Sequence, residues 1–140
     1  MKTIEEQLIE MINEILTSTV NFYLSEMEEF VPLVELSSSG KLGSYGVCPQ
    51  IELSEAARTD KDRIVRTDAY TMTITFVMNS QNNKRDVYCY AAALESAIND
   101  DPTFGGVADR VAFVNRKYKG MAESSGECQA VFTLRVTIGK

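Results

Sequence analysis

Few residues in this sequence have the type and spacing to do chemistry, and they are scattered. The best carboxylate group is Asp100, Asp101 and Asp109, close enough in sequence to share a proton or to hold magnesium. Asp100 and Asp101 directly precede Pro102, however, and an acidic N-cap followed by proline at N1 accounts for them without any substrate. The chain has no histidine. That removes Ser-His-Asp and Cys-His nucleophile systems and the usual transition-metal ligand set. Gly40, Gly43 and Gly46 are evenly spaced in a serine-rich stretch, but they follow no strand and open no helix, so they match neither the dinucleotide fingerprint nor the P-loop. Cys48, Cys89 and Cys128 lie about forty residues apart with no CxxC pair, which reads as reduced structural thiols.

The remaining candidates are cationic. Arg58, Lys61, Arg63 and Arg66 are interleaved with Glu55, Asp60, Asp62 and Asp68, and no aromatic lies among them to stack on a base. A solvated loop over 54–68 describes them better than a phosphate-binding arm. The formal net charge of -6 also argues against a chain that coats nucleic acid, because that binding rests on clustered Lys and Arg. No cofactor, no metal and no catalytic residue is therefore expected.

The elements that must position these residues follow from apolar spacing. At 140 residues the expectation is one domain, 1–140. No stretch approaches the roughly eighteen apolar residues of a membrane span. Acidic Glu5 and Glu6 follow Lys2 where a signal peptide would place its apolar core, so no membrane role and no export by that route is expected. Ile4, Leu8, Met11, Ile12 and Ile15 form one stripe of a helix, with Glu5, Glu6, Glu10 and Glu14 on its wet side and a Thr3/Glu6 capping box at its start. Thr17 to Val20 are poor helix formers, and Leu24, Met27, Phe30 and Val31 resume helical spacing before Pro32, so a second short helix is expected there.

Residues 37–46 read as an exposed loop, and 47–53 as a strand. Tyr70, Met72, Ile74, Phe76 and Met78 alternate with Thr71, Thr73, Thr75 and Val77, the pattern of a long strand with one buried face. After turn residues at 79–83, Val87, Ala91, Leu94 and Ile98 define a second amphipathic helix, stopped at Asn99-Asp100-Asp101-Pro102, with a further helical turn expected before Gly105-Gly106. Strands are expected over 111–118 and 128–138, joined through 119–126, with Phe132, Leu134, Val136 and Ile138 inward and Thr133, Arg135 and Thr137 outward. The order helix, strand, strand, helix, strand, strand predicts an α+β two-layer sandwich: a four-stranded, mainly antiparallel sheet with two helices on one face. The opposite face, with Thr71, Thr73, Thr75, Thr133, Arg135 and Thr137, then meets water or a neighbouring subunit.

The segment from Ala92 to Asp109, AALESAINDDPTFGGVAD, resembles the small tail terminator, or tail completion, proteins of tailed phages and prophages. Members often carry a helix ending in Asp-Pro-Thr, an apolar residue and Gly-Gly, followed by a closing strand pair. The likeness runs from about Met72 to the C-terminus, and the extended 22–46 region departs from it. The resemblance implies a structural subunit that forms a hexameric ring with copies of itself, caps the tail tube, stops its polymerisation and presents a surface to the head-tail connector protein. It implies tail tube protein and connector as partners, DNA only by passage through the ring lumen, and a location in the host bacterial cytoplasm during assembly and then in the virion tail or neck. Candidate contact residues on that reading are Arg58, Lys61, Arg63 and Arg66 of the charged segment, Asp101, Pro102, Phe104, Gly105 and Gly106 of the corner, and Thr73, Thr75 and Arg135 of the sheet face. Two other readings stay open: a head-closure or neck adaptor subunit, and a small-molecule-binding α+β domain, for which a pocket gathering Arg63, Arg66 and carboxylates would be the sign.

Overall fold

A computed structural model describes residues 2–27, 31, 33–34, 49–62, 65–78, 86–120 and 128–139, with backbone only for 55–62, 65–68, 78 and 139. Helix α1 (Ile4–Ile15) starts where the Thr3 hydroxyl accepts the Glu6 amide at 3.1 Å, and it buries Leu8, Ile12 and Ile15. The helical run does not break at the threonines. It widens into a π turn over Leu16–Val20 and continues as α2 (Asn21–Ser25). The Thr17 and Ser18 hydroxyls donate to the carbonyls of Asn13 and Glu14 at 2.9 and 2.6 Å, back-bonds that suit a widened turn. The short helix expected around 24–31 is thus the end of the first helical run: Leu24 is buried within α2, and the run ends before residues 28–30, which lie outside the described residues. Asn21 then clasps the returning chain, its side chain donating to Val34 O at 3.0 Å and accepting from Val34 N at 2.7 Å.

Strand β1 (Gln50–Asp62) and strand β2 (Val65–Met78) form an antiparallel hairpin, which corrects the loop expected over 54–68. Its ladder runs through the charged stretch, with Ala57 opposite Ala69, Arg58 opposite Asp68 and Thr59 opposite Thr67. The physical reason is that an edge strand is held by backbone hydrogen bonds, and charge on it protects against edge-to-edge pairing. Helix α3 (Asp86–Asp100), strand β3 (Arg110–Lys119) and strand β4 (Cys128–Gly139) complete the order. The sheet is fully antiparallel in the order β1-β2-β4-β3, so the two hairpins meet through their second strands.

Helices cover one face. Tyr70, Met72, Ile74 and Phe76 of β2 and Phe132, Leu134, Val136 and Ile138 of β4 all point into one apolar cluster with Leu8, Ile12, Leu16, Val20, Tyr90 and Leu94 from the helical layer. Phe76 stacks on Tyr90 at 5.0 Å between ring centroids and meets Phe132 edge-on at 5.5 Å. No helix is long and apolar enough to cross a membrane among the described residues.

Candidate interaction surfaces

The segment after α3 is a corner tied almost entirely to itself. The Asp101 carboxylate accepts the Gly105 amide at 2.8 Å and the Thr103 hydroxyl at 3.3 Å, while Thr103 O accepts the amides of Gly106 and Ala108 at 3.1 and 2.9 Å. Pro102 O accepts Val111 N at 2.6 Å, and Asp109 N donates to Thr137 O at 2.8 Å, so both flanks are bonded into the sheet end. In place of the further helical turn expected from Pro102, three successive residues take left-handed backbone: Phe104 at φ 50°, Gly105 at 67° and Gly106 at 92°. Glycine bears this freely, but Phe104 does so at a cost of order 1–2 kcal/mol. Its compensation is visible, because the Phe104 ring is completely buried in the core. Phe104 therefore sets the corner's shape from inside, whereas Pro102, Gly105 and Gly106 are exposed. Helix α1 sits against the corner closely enough that a Cβ on Gly105 would lie 2.9 Å from Met11 Cε.

The second surface is the outward side of the sheet. Thr73 lies between Glu52 and Thr133, Thr75 between Gln50 and Val131, and exposed Arg135 between Thr71 and Ala112. Thr73, Thr75 and Arg135 thus share one face, as their alternation predicts. The register puts the corner at the end of the sheet where β2 and β3 begin, which is also the end where the β1–β2 hairpin turns. Arg58 and Lys61 belong to β1 and Arg66 to β2, while Arg63 lies outside the described residues.

Four further features lie outside what the sequence pattern predicts. On β3 a bulge at Val114 shifts the alternation, so Val111, Phe113, Arg116 and Tyr118 face the helical side while Arg110, Ala112, Asn115, Lys117 and Lys119 face outward. The signal is present in the sequence as a parity change, with apolar residues at 111 and 113 and then an aromatic at 118. Arg116 pairs with Glu95 of α3 and lies over the Phe113 ring, 5.4 Å from its centroid, and Tyr118 meets the exposed Tyr88 edge-on at 5.1 Å. The Tyr23 hydroxyl donates to Asp100, linking α2 to the end of α3, and this bond raises the Tyr23 pKa.

The three aspartates singled out for chemistry have separate partners: Asp100 holds Tyr23, Asp101 holds the corner, and the Asp109 backbone is bonded to Thr137. Among the described residues no group of three or more His, Cys, Asp or Glu side chains is placed to hold a metal ion. Cys89 is half-buried and Cys128 buried, both as free thiols; Cys48 and the glycines at 40, 43 and 46 lie outside the described residues.

No protein-family model matches the chain, and no curated protein matches it. Among solved structures it is similar to a chain of the "Virion of native gene transfer agent (GTA) particle", at 12% sequence identity, a TM-score of 0.49, and coverage of 89% of this chain and 95% of that chain. A likeness of that size leaves function to be argued from the surfaces themselves.

Proposed function

We propose that this chain is a single-domain structural subunit of a phage or prophage tail, a terminator that closes into a hexameric ring on the tail tube, ends its polymerisation and offers the head-attachment surface. The observation that carries the reading is the corner at 101–106. Its sequence resembles the tail terminator motif, and its geometry combines an anchored Phe104 with exposed Pro102, Gly105 and Gly106. A hydrogen-bonded, side-chain-poor corner of this kind suits close backbone approach by a neighbour. The Thr73, Thr75 and Arg135 face supplies a second, moderately polar surface of the sort found in subunit contacts. Subunits that act through shape and symmetry need no reacting group, and heterologous contacts that close into a ring are enough.

Multi-angle light scattering on the chain alone and with tail tube protein tests this reading. A hexamer, or a hexamer formed on the tube, is the expected result. A pull-down that captures connector protein and ignores tube protein would move the chain to the head-closure side of the neck, and indifference to both would sink the tail assignment.

A further inference from the structure

Charge is divided unevenly along the chain and across its two layers. Residues 1–35 hold eight acids against one lysine, and residues 110–140 hold six Lys and Arg against two Glu. In the fold this becomes a polarity through the thickness of the sandwich. Glu6, Glu10 and Glu14 are exposed on α1, opposite its buried Leu8, Ile12 and Ile15 side. Their four-residue spacing sets them in one stripe about 12 Å long. Lys2 offsets part of it, bridging Glu10 at 2.7 Å. On the other side of the molecule Arg110, Lys117 and Lys119 of β3 and Arg135 of β4 are exposed on the outward sheet face. No carboxylate stands among the described outward residues of those two strands, whose other members are Ala112, Asn115, Gln129, Val131 and the threonines at 133 and 137.

Like charges one helical turn apart destabilise a helix, and unopposed cations on a sheet face repel one another. Apart from Lys2 beside Glu10, each surface therefore lacks the other's sign, and the two do not overlap on one molecule. We propose that the outward face of β3 and β4 is the docking site for the α1 stripe of a second copy of this chain, so that copies associate helix layer to sheet layer, head to tail. The proposal rests on the reading of the chain as an assembling subunit and names the contact that would join neighbours. A second copy fits better than nucleic acid because the acidic stripe is presented by the chain itself in a fixed spacing, and no aromatic side chain stands among the described outward residues of β3 and β4 to stack on a base. A contact of this kind is heterologous, since the two patches differ, and closes into a ring or runs on according to the angle between copies.

Sedimentation velocity on the full chain, with two charge-reversed variants, tests the proposal. Lys117→Glu with Lys119→Glu cancels the positive face, leaving Arg110 and Arg135 against two Glu, and Glu6→Lys with Glu14→Lys turns the α1 stripe basic, so that chain has two basic surfaces. The unmodified chain should self-associate, about tenfold more weakly when salt rises from about 50 to about 300 mM. Each variant alone should associate at least about a hundredfold more weakly, and an equimolar mixture should regain association because each supplies the surface the other lacks. Recovery on mixing also shows that both variants are folded. An unmodified chain that stays monomeric, variants that associate as it does, or a mixture whose members stay apart would overturn the proposal. So would a monomeric chain that binds duplex DNA through Lys117 and Lys119. Capture of tube protein by a chain that fails these tests would leave the tail reading standing and remove only this contact.

Discussion

On β2, Tyr70, Met72, Ile74 and Phe76 are buried while Thr71, Thr73, Thr75 and Val77 between them are half-exposed, and β4 repeats the division with Phe132 and Leu134 buried beside exposed Arg135. Both faces share one backbone ladder of twelve paired positions, from Thr67 with Gly139 to Met78 with Cys128. The difference lies in what covers them. The inward side chains meet α1, the π turn and α3, and each large apolar group removed from water contributes about 1.5–3 kcal/mol. The outward side chains lie beside their cross-strand neighbours and, among the described residues, no helix packs on them, so their identity is free to serve something other than folding. Along these central strands, stability is concentrated on one side of the sheet and the freedom to make contacts on the other.

The hardest test of that division is to hollow the inward side. Phe76 and Phe132 are both fully buried and in ring contact, so Phe132→Ala should cost about 3–5 kcal/mol, read as a lowered urea midpoint at unchanged slope. A loss below about 1 kcal/mol would show that this cluster is not where the fold is held.

A smaller effect comes from the helix that roofs the same cluster. Burial raises the Tyr90 pKa, with Asp86 and then Cys89 adding to it, so the phenol is kept neutral in the folded chain. Because the folded value lies above the unfolded one near 10, the unfolded state loses its proton first as pH rises. Stability is thus complete below about pH 10 and declines above it, by at most about 1.4 kcal/mol per pH unit for one proton. Tyr90→Phe should flatten that alkaline decline in a pH series of urea midpoints. An unchanged slope would place the ring in a wetter setting than the inward face allows.

The same division explains what the sequence makes legible. Alternation at 70–78 and 128–138 marks both central strands and their buried faces, because period-two burial is written directly in residue type. The 54–68 hairpin is hidden because Arg58, Asp60, Lys61 and Asp62 give no apolar period, and an edge strand needs none. The π turn is hidden for a related reason: Thr17, Ser18 and Thr19 have poor helix propensity, and the packing of Leu16, Val20 and Leu24 on either side overrides it. In the corner, Gly105 and Gly106 announce left-handed backbone, but the same conformation at Phe104 comes from the ring's burial, which is a tertiary fact. Thr73, Thr75 and Arg135 are placed on one face by parity alone, as is Arg110 beside inward Val111, whereas Lys117 and Lys119 join that face only once the bulge at Val114 is known.

The least effect should come from the outward threonines, and it is the most informative. Thr73→Val with Thr75→Val keeps β-branching and size on central strands, so backbone preference and cross-strand packing are preserved. If the outward face answers to nothing within the chain, the double variant should change stability by no more than about 0.5 kcal/mol in urea unfolding. A loss above about 2 kcal/mol would mean that another part of the same chain lies over Thr73 and Thr75 and takes hydrogen bonds from their hydroxyls, since only a buried, partnered hydroxyl is that expensive to remove. In that case the outward face would be a second interior, closed to any neighbour, and the contacts of the molecule would have to be sought at the corner of Pro102, Gly105 and Gly106 instead.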